Sequence, residues 1–270
     1  MQIASRQPLW NEGGRGTVVR VEMTPATGLT ISFRPCSIRN EPASVDWGDG
    51  TKEVITGWCS DFSVTHTYRR YGKYKIVFEH VGSVGFRTLD GQHGIFGYEA
   101  AVTSVEDYAG TLTRIESGAW QGAYNLERFV APASTWMGQR TFSNCRKLRD
   151  VVLGKIGIHY DGSFENCTSL ESYTTVSTGT CWSYVWMGCT KIRELRLGSV
   201  SQFATKDFYG CPNLMDVWID NKTVEQIKQV AAAGNIVAGY NARFPWDANP
   251  GCRFHGTNGI VLGNGTIIHE

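Results

Sequence analysis

Eight cysteines and six histidines are the residues of this 270-residue chain best suited to holding a metal or attacking a substrate, and their spacing argues against both. His66, His80, His93, His159, His255 and His269 form no HExxH or comparable metal pair. There is no GxSxG, Walker or GxGxxG motif, and nothing in the chain order points to a triad or a carboxylate pair. The sequence therefore reads as non-enzymatic and as needing no cofactor. The cysteines include no CxxC pair, and Cys145, Cys167, Cys189 and Cys211 stand 22 residues apart, which is a repeat column and not a ligand set. Asp46 and Asp49 are close enough to suggest calcium, but two carboxylates fall short of the roughly six to eight oxygens that ion takes. The expected reading there is a tight turn, with Gly48 and Gly50 supplying positive φ and Asp49 accepting backbone N–H bonds.

The cysteine column belongs to a larger pattern. Aromatics recur at Trp120, Phe142, Phe164, Trp186 and Phe208, with Tyr98 as a weaker sixth start and no insertion between them. Three residues after each comes Ala123 or a cysteine, and six after comes Leu126, Leu148, Leu170, Ile192 or Leu214. Positions nine and eleven carry Phe129 and Ala131, Val151 and Leu153, Tyr173 and Thr175, Leu195 and Leu197, Val217 and Ile219, the period-2 alternation of a short strand. One such unit cannot bury its own apolar face, so successive units must stack into a solenoid with a continuous core.

The unit Phe142-Ser-Asn-Cys145-Arg-Lys-Leu148-Arg-Asp-Val151-Val-Leu153 resembles the BspA-like leucine-rich repeats of bacterial surface proteins. Upstream, alternating segments at 17–23, 29–33, 45–47, 64–68 and 74–78 are separated by Gly-, Pro- and Asp-rich turns, the spacing of a small antiparallel sandwich. Within it, Val45-Asp-Trp47-Gly-Asp49-Gly50-Thr51 followed by His66-Thr-Tyr68-Arg-Arg-Tyr71-Gly72-Lys-Tyr74 resembles PKD-type domains, which are immunoglobulin-like sandwiches. After the repeats, Thr223 and Gln226 are placed as a capping box for a helix through about Ala233 that stops at Gly234. Asn258-Gly259 and Asn264-Gly265 then mark turns, and Phe244-Pro-Trp with Phe254-His-Gly-Thr-Asn-Gly resembles the closing segment of such arrays.

The expected fold is thus mainly β. An extension over 1–15 precedes an immunoglobulin-like β-sandwich over 16–90, a leucine-rich-repeat solenoid of 22-residue coils over 91–222, and a cap of helix and β-hairpin over 223–270. Asp90-Gly-Gln-His-Gly94 is the expected boundary, a hinge or a turn.

With 26 Lys plus Arg against 25 Asp plus Glu, the chain carries no basic stripe, so nucleic acid is excluded as an expected partner. No apolar run is long enough for membrane insertion or a visible signal peptide. The two resemblances imply a surface-displayed or extracellular adhesin-like protein contacting a protein or glycan. A structural or receptor-binding component of a phage virion, able to oligomerise or join a particle, is the alternative. The column five residues before each aromatic, Ile115, Met137, His159, Cys181 and Phe203, is expected to point inward. Its neighbours Trp136, Ile158, Tyr160 and Trp182 then point outward on three successive coils and form the candidate ligand-binding residues. His66 and His159 are expected to be structural.

Overall fold

A computed structural model describes residues 16–37, 42–55, 63–85, 101–204, 206–230 and 248–270. The expectations for 1–15, for the 90–94 boundary, for Cys59, His93 and Tyr98, for the helix beyond residue 230 and for Phe244-Pro-Trp lie outside these residues.

The N-terminal strands are antiparallel. β1 (Thr17–Met23) pairs with β7 (Gly72–Glu79), β7 with β4 (Ala43–Asp46), and β4 with β5 (Lys52–Ile55). Two smaller pairs complete the module, β2 (Thr30–Phe33) with β6 (Val64–Thr67) and β3 (Cys36–Ser37) with β8 (Val81–Ser83). Alternation in β1, β2 and β7 sends Val19, Val21, Ile31, Phe33, Ile76 and Phe78 into one core around the buried Trp47. Full burial of each such side chain contributes roughly 1.5–3 kcal/mol. Tyr68 closes the core by donating its hydroxyl to the Trp47 carbonyl at 2.9 Å. The Asp46–Thr51 turn forms as the sequence implies. Asp46 Oδ1 accepts from Gly48 N at 2.9 Å, and Asp49 Oδ1 accepts from Thr51 N at 3.0 Å. β3, β5 and β8 carry no readable alternation; the first three residues of β5 are all exposed on a sheet edge.

The repeats stack as two sheets. One runs through β9 (Val102–Asp107), β11 (Arg128–Ala131), β13 (Asp150–Leu153), β15 (Ser172–Thr174), β17 (Glu194–Arg196) and β19 (Asp216–Trp218), all parallel. The other is a narrow parallel sheet of β10 (Arg114–Ile115), β12 (Trp136–Met137), β14 (Ile158–His159), β16 (Ser177–Cys181) and β18 (Ser199–Gln202). Between them every expected column is buried: the aromatics, the Cys145–Cys211 column, the leucine column and the inward strand positions. Phe142 stacks on Phe164 at 5.3 Å and Trp186 on Phe208 at 5.9 Å. Each thiol of the column donates to the carbonyl of the aromatic one coil earlier, Cys145 to Trp120, Cys167 to Phe142, Cys189 to Phe164 and Cys211 to Trp186, at 3.0–3.1 Å. The cysteines therefore join coils as well as fill space.

A further column lies two residues after each aromatic. Gly122, Asn144, Asn166, Gly188 and Gly210 all take φ between 60° and 74°. Glycine and asparagine tolerate this conformation, and Gly188 has a second constraint, since a Cβ there would lie 2.4 Å from Asn166 Oδ1.

The first coil departs from the expected period. Val105 pairs with Phe129, 24 positions on, whereas Phe129 pairs with Val151, 22 positions on. A start at Tyr98 would have put Asp107 at that inward strand position. The additional length sits in the corner between β9 and β10, which Asp107 closes by accepting from Thr17 Oγ1 at 3.4 Å and from Leu112 N at 2.9 Å.

The N-terminal module and the array share one sheet. β9 pairs antiparallel with β1 on one side and parallel with β11 on the other, so the broad sheet has 13 strands among the described residues. On the opposite side Thr113 N donates to Gly82 O at 3.2 Å, and Gly85 packs so closely on Ala119 that a Cβ would approach its methyl to 2.6 Å. At the far end β20 (Arg253–Gly256) joins parallel to β19, with Phe254 beside Val217. β21 (Gly259–Leu262) and β22 (Ile267–His269) extend the sheet as antiparallel hairpins at the two expected turns. The helix α1 (Val224–Val230) begins at a reciprocal cap, Thr223 N to Gln226 Oε1 at 2.9 Å and Gln226 N to Thr223 Oγ1 at 3.3 Å. It turns Val224 and Ile227 inward against β20 and β21.

Candidate ligand-binding face

The narrow sheet positions the candidate residues. Ile115, Met137, His159, Cys181 and Phe203 are all buried as expected, which turns their neighbours out. Trp136 and Ile158 occupy corresponding places on adjacent coils, one residue before the inward column; Tyr160 and Trp182 lie one residue after it. The four sites are brought together on one outer surface. Trp136 and Tyr160 have ring centroids 6.0 Å apart with planes inclined by 54°, and Tyr160 and Trp182 are 5.6 Å apart at 42°. Trp182 is 40% exposed, whereas Trp136, Ile158 and Tyr160 are half-buried.

The diagonal contact from Trp136 to Tyr160 crosses two columns, and Gly138 stands where Tyr160 stands one coil later. Any Cβ at Gly138 would lie 2.4–2.6 Å from Ser117, so this position is held bare by the packing of the preceding coil. Arg114 extends the row by one coil, its guanidinium 4.2 Å from the Trp136 ring centroid while its Nε is 3.3 Å from Glu116 Oε1. Arg114 was not among the residues singled out from the sequence, although its place 22 residues before Trp136 was readable.

The outward side of the broad sheet has a different character. Arg128 pairs with Glu106 and Asp150, Glu106 also holds Arg20 at 3.0 Å, and Glu194 pairs with Arg196. Further along, Trp218 stacks between Arg196, 4.6 Å from its centroid, and the His255 ring at 3.7 Å. Asp216 holds His255 at 2.7 Å and Arg253 at 2.6 Å. Burial works against the Asp216 charge, but these two partners outweigh it and hold the carboxyl below its usual range.

His159 and His66 are both hydrogen-bonded within the fold. His159 lies buried with Nδ1 3.2 Å from the Thr178 carbonyl and Nε2 2.8 Å from Tyr173 Oη. The carbonyl can only accept, so Nδ1 donates and neutral Nε2 accepts the tyrosine hydroxyl. Burial pushes this imidazole down to about 4, against a smaller opposing effect of the Thr178 carbonyl. His66 is 2.8 Å from Asp49 and stacks on Trp47 at 4.9 Å. Burial raises the Asp49 carboxyl, but hydrogen bonds from Thr51 and His66 prevail and hold it down to about 2. Burial also raises every thiol of the cysteine column, which keeps it protonated and unreactive. Among the described residues no group of three or more His, Cys, Asp or Glu could hold a metal ion, and no helix is long and apolar enough to cross a membrane.

Residues 94–215 match the model of the BspA type leucine rich repeat region in six copies, and this part of the chain is a leucine-rich repeat array. No curated protein matches. Two solved structures are similar. The leucine rich repeat protein of T. pallidum is 20% identical, with a TM-score of 0.38 over 43% of this chain and 64% of its own. A leucine-rich repeat protein from Bacteroides ovatus is 19% identical, with a TM-score of 0.38 over 54% of this chain and 36% of its own. This chain thus spans less than two thirds of either relative.

Proposed function

We propose that this is a surface-displayed interaction protein whose repeat array engages a protein or glycan ligand, and that the row formed by Trp136, Ile158, Tyr160 and Trp182 is its contact surface. Leucine-rich repeat arrays generally bind other macromolecules, because successive coils present corresponding residues as rows on an extended surface. The observation that carries the reading is the contrast in satisfaction. The charges on the broad sheet are spent on one another, whereas three aromatic rings line up on adjacent coils, Trp136 beneath Arg114, Tyr160 half-buried and Trp182 exposed. The N-terminal module, read as PKD-type and immunoglobulin-like, holds the array away from whatever bears it; the paired Asp46–Thr51 turn and the Trp47 core support that assignment.

The test is saturable binding of the whole chain to broad protein and glycan arrays. Binding weakened by Trp136→Ala and by Trp182→Ala is the expected result. A clean negative on both arrays would sink the proposal.

A further inference from the structure

We infer that the row on the narrow sheet is a platform for a neutral polysaccharide, taken as a single chain whose pyranose rings follow the line of Trp136, Tyr160 and Trp182. This rests on the reading of that row as the contact surface. Neighbouring strands of a sheet lie about 4.8 Å apart, and the ring centroids are 6.0 Å apart for the diagonal Trp136–Tyr160 pair and 5.6 Å apart for Tyr160 and Trp182 in one column. That step is comparable to the advance of one sugar ring along an extended glycan. The coil rise therefore sets a period that a polysaccharide shares, so that the apolar C–H faces of its sugars follow the line of rings.

Charge narrows the class. Arg114 is the only charged member of the row it shares with Trp136, Ile158, Thr180 and Gln202, and it is held over Trp136 and paired with Glu116. Asp161, beside Tyr160, accepts from Ser183 N at 3.0 Å. Within the row itself the one cation, Arg114, is paired, and the exposed Arg140 near Asp161 lies outside it. Thr180 and Gln202 continue the line past Ile158 and supply hydroxyl and amide groups at the edge of the platform, as a sugar ligand requires.

The inclination of the rings narrows it again. Planes turned by 54° and then 42° cannot lie together under one flat crystalline ribbon. They suit a soluble chain whose units rotate from one to the next.

The experiment is calorimetric and fluorescence titration of the full chain with neutral gluco- and manno-oligosaccharides in β-1,3 and β-1,4 linkage, from disaccharide to hexasaccharide. The expected result is quenching or a shift of tryptophan emission, and an affinity that rises with length until the chain spans the line of rings and then levels off. Trp182→Ala lowers that affinity by about tenfold and Trp182→Phe by less, with the thermal transition unchanged. Three results overturn the inference: no response to any neutral oligosaccharide, a response indifferent to Trp136→Ala and Trp182→Ala, or binding confined to sulfated heparin fragments and abolished by salt. If no glycan binds but a protein on the array does, and loses binding in the same two variants, the glycan assignment falls while the contact surface stands. If neither binds, both fall.

Discussion

The two sheets of the array are built from the same repeat and differ in what they turn outward. The broad sheet is continuous from β5 to β22 and carries ion pairs and a stacked Arg196–Trp218–His255 cluster that satisfy one another. The narrow sheet has five short strands and turns out tilted aromatic rings. Strands of three to six residues, each paired on both sides, give the coil its frame. Strands of two residues, as in β10, β12 and β14, contribute little backbone pairing, so their outward positions are free to vary with a ligand.

If the broad sheet is the frame, the largest effect follows from cutting it at β1. A chain beginning at residue 91 leaves β9 without its antiparallel partner and Asp107 without the Thr17 hydroxyl. We expect loss of the cooperative thermal transition by circular dichroism. An unchanged transition would show that the frame begins at β9. Next comes the shared interior: Phe164→Ala should cost roughly 3–5 kcal/mol in urea unfolding, because the ring is sealed between Phe142 and Tyr173.

A third effect belongs to the inner side of the narrow sheet. His159 titrates near 4 when folded, against about 6.5 when unfolded. Above pH 6.5 both states are neutral and the group is silent. As pH falls from about 6.5 to about 4 the unfolded chain takes the proton and the folded one does not, so stability declines by up to roughly 3 kcal/mol. His159→Met, the residue one coil earlier, should flatten that part of the profile. Asp207, raised by burial, has the opposite sign and remains in both proteins, so the difference between the two curves isolates the histidine.

The smallest effects are on the two outer surfaces, where Arg128→Ala and Trp182→Ala should each change stability by about 1 kcal/mol or less. Equal stability combined with unequal binding, lost only in the tryptophan variant, is the outcome that separates frame from contact surface. Equal losses of binding would erase the distinction.

The interior of the array was legible because its columns recur, so Phe142, Cys145, Leu148 and Val151 identify one another at 22-residue intervals. The Gly122–Asn144–Asn166–Gly188–Gly210 column was equally present and is recognised by the backbone it permits. The joining of β1 to β9 was not legible. It couples residues more than 80 positions apart that share no period, and the register break between Arg20 and Val21 has no composition of its own. The 24-residue offset of the first coil was hidden for a related reason. Its additional length is absorbed in a corner where Asp107 and Leu112 bond locally, and Tyr98 imitates an aromatic start at the regular interval. For the candidate face, the alternation around Met137 and His159 gave the direction of the side chains, but the diagonal Trp136–Tyr160 contact depends on the bare Gly138 between them.

The shared sheet has a mechanical meaning. Backbone hydrogen bonds between successive strands run along the axis on which the coils are stacked, from β5 through β1 and β9 to β22. Tension applied across the strands therefore falls on these backbone bonds. The thiol-to-carbonyl bonds of Cys145, Cys167, Cys189 and Cys211 add a strut to the four gaps between the Trp120 and Phe208 coils. With β1 and β9 paired directly, the load crosses from the first module into the coils through sheet backbone, and a tethered ligand would strain the molecule as one stiff rod.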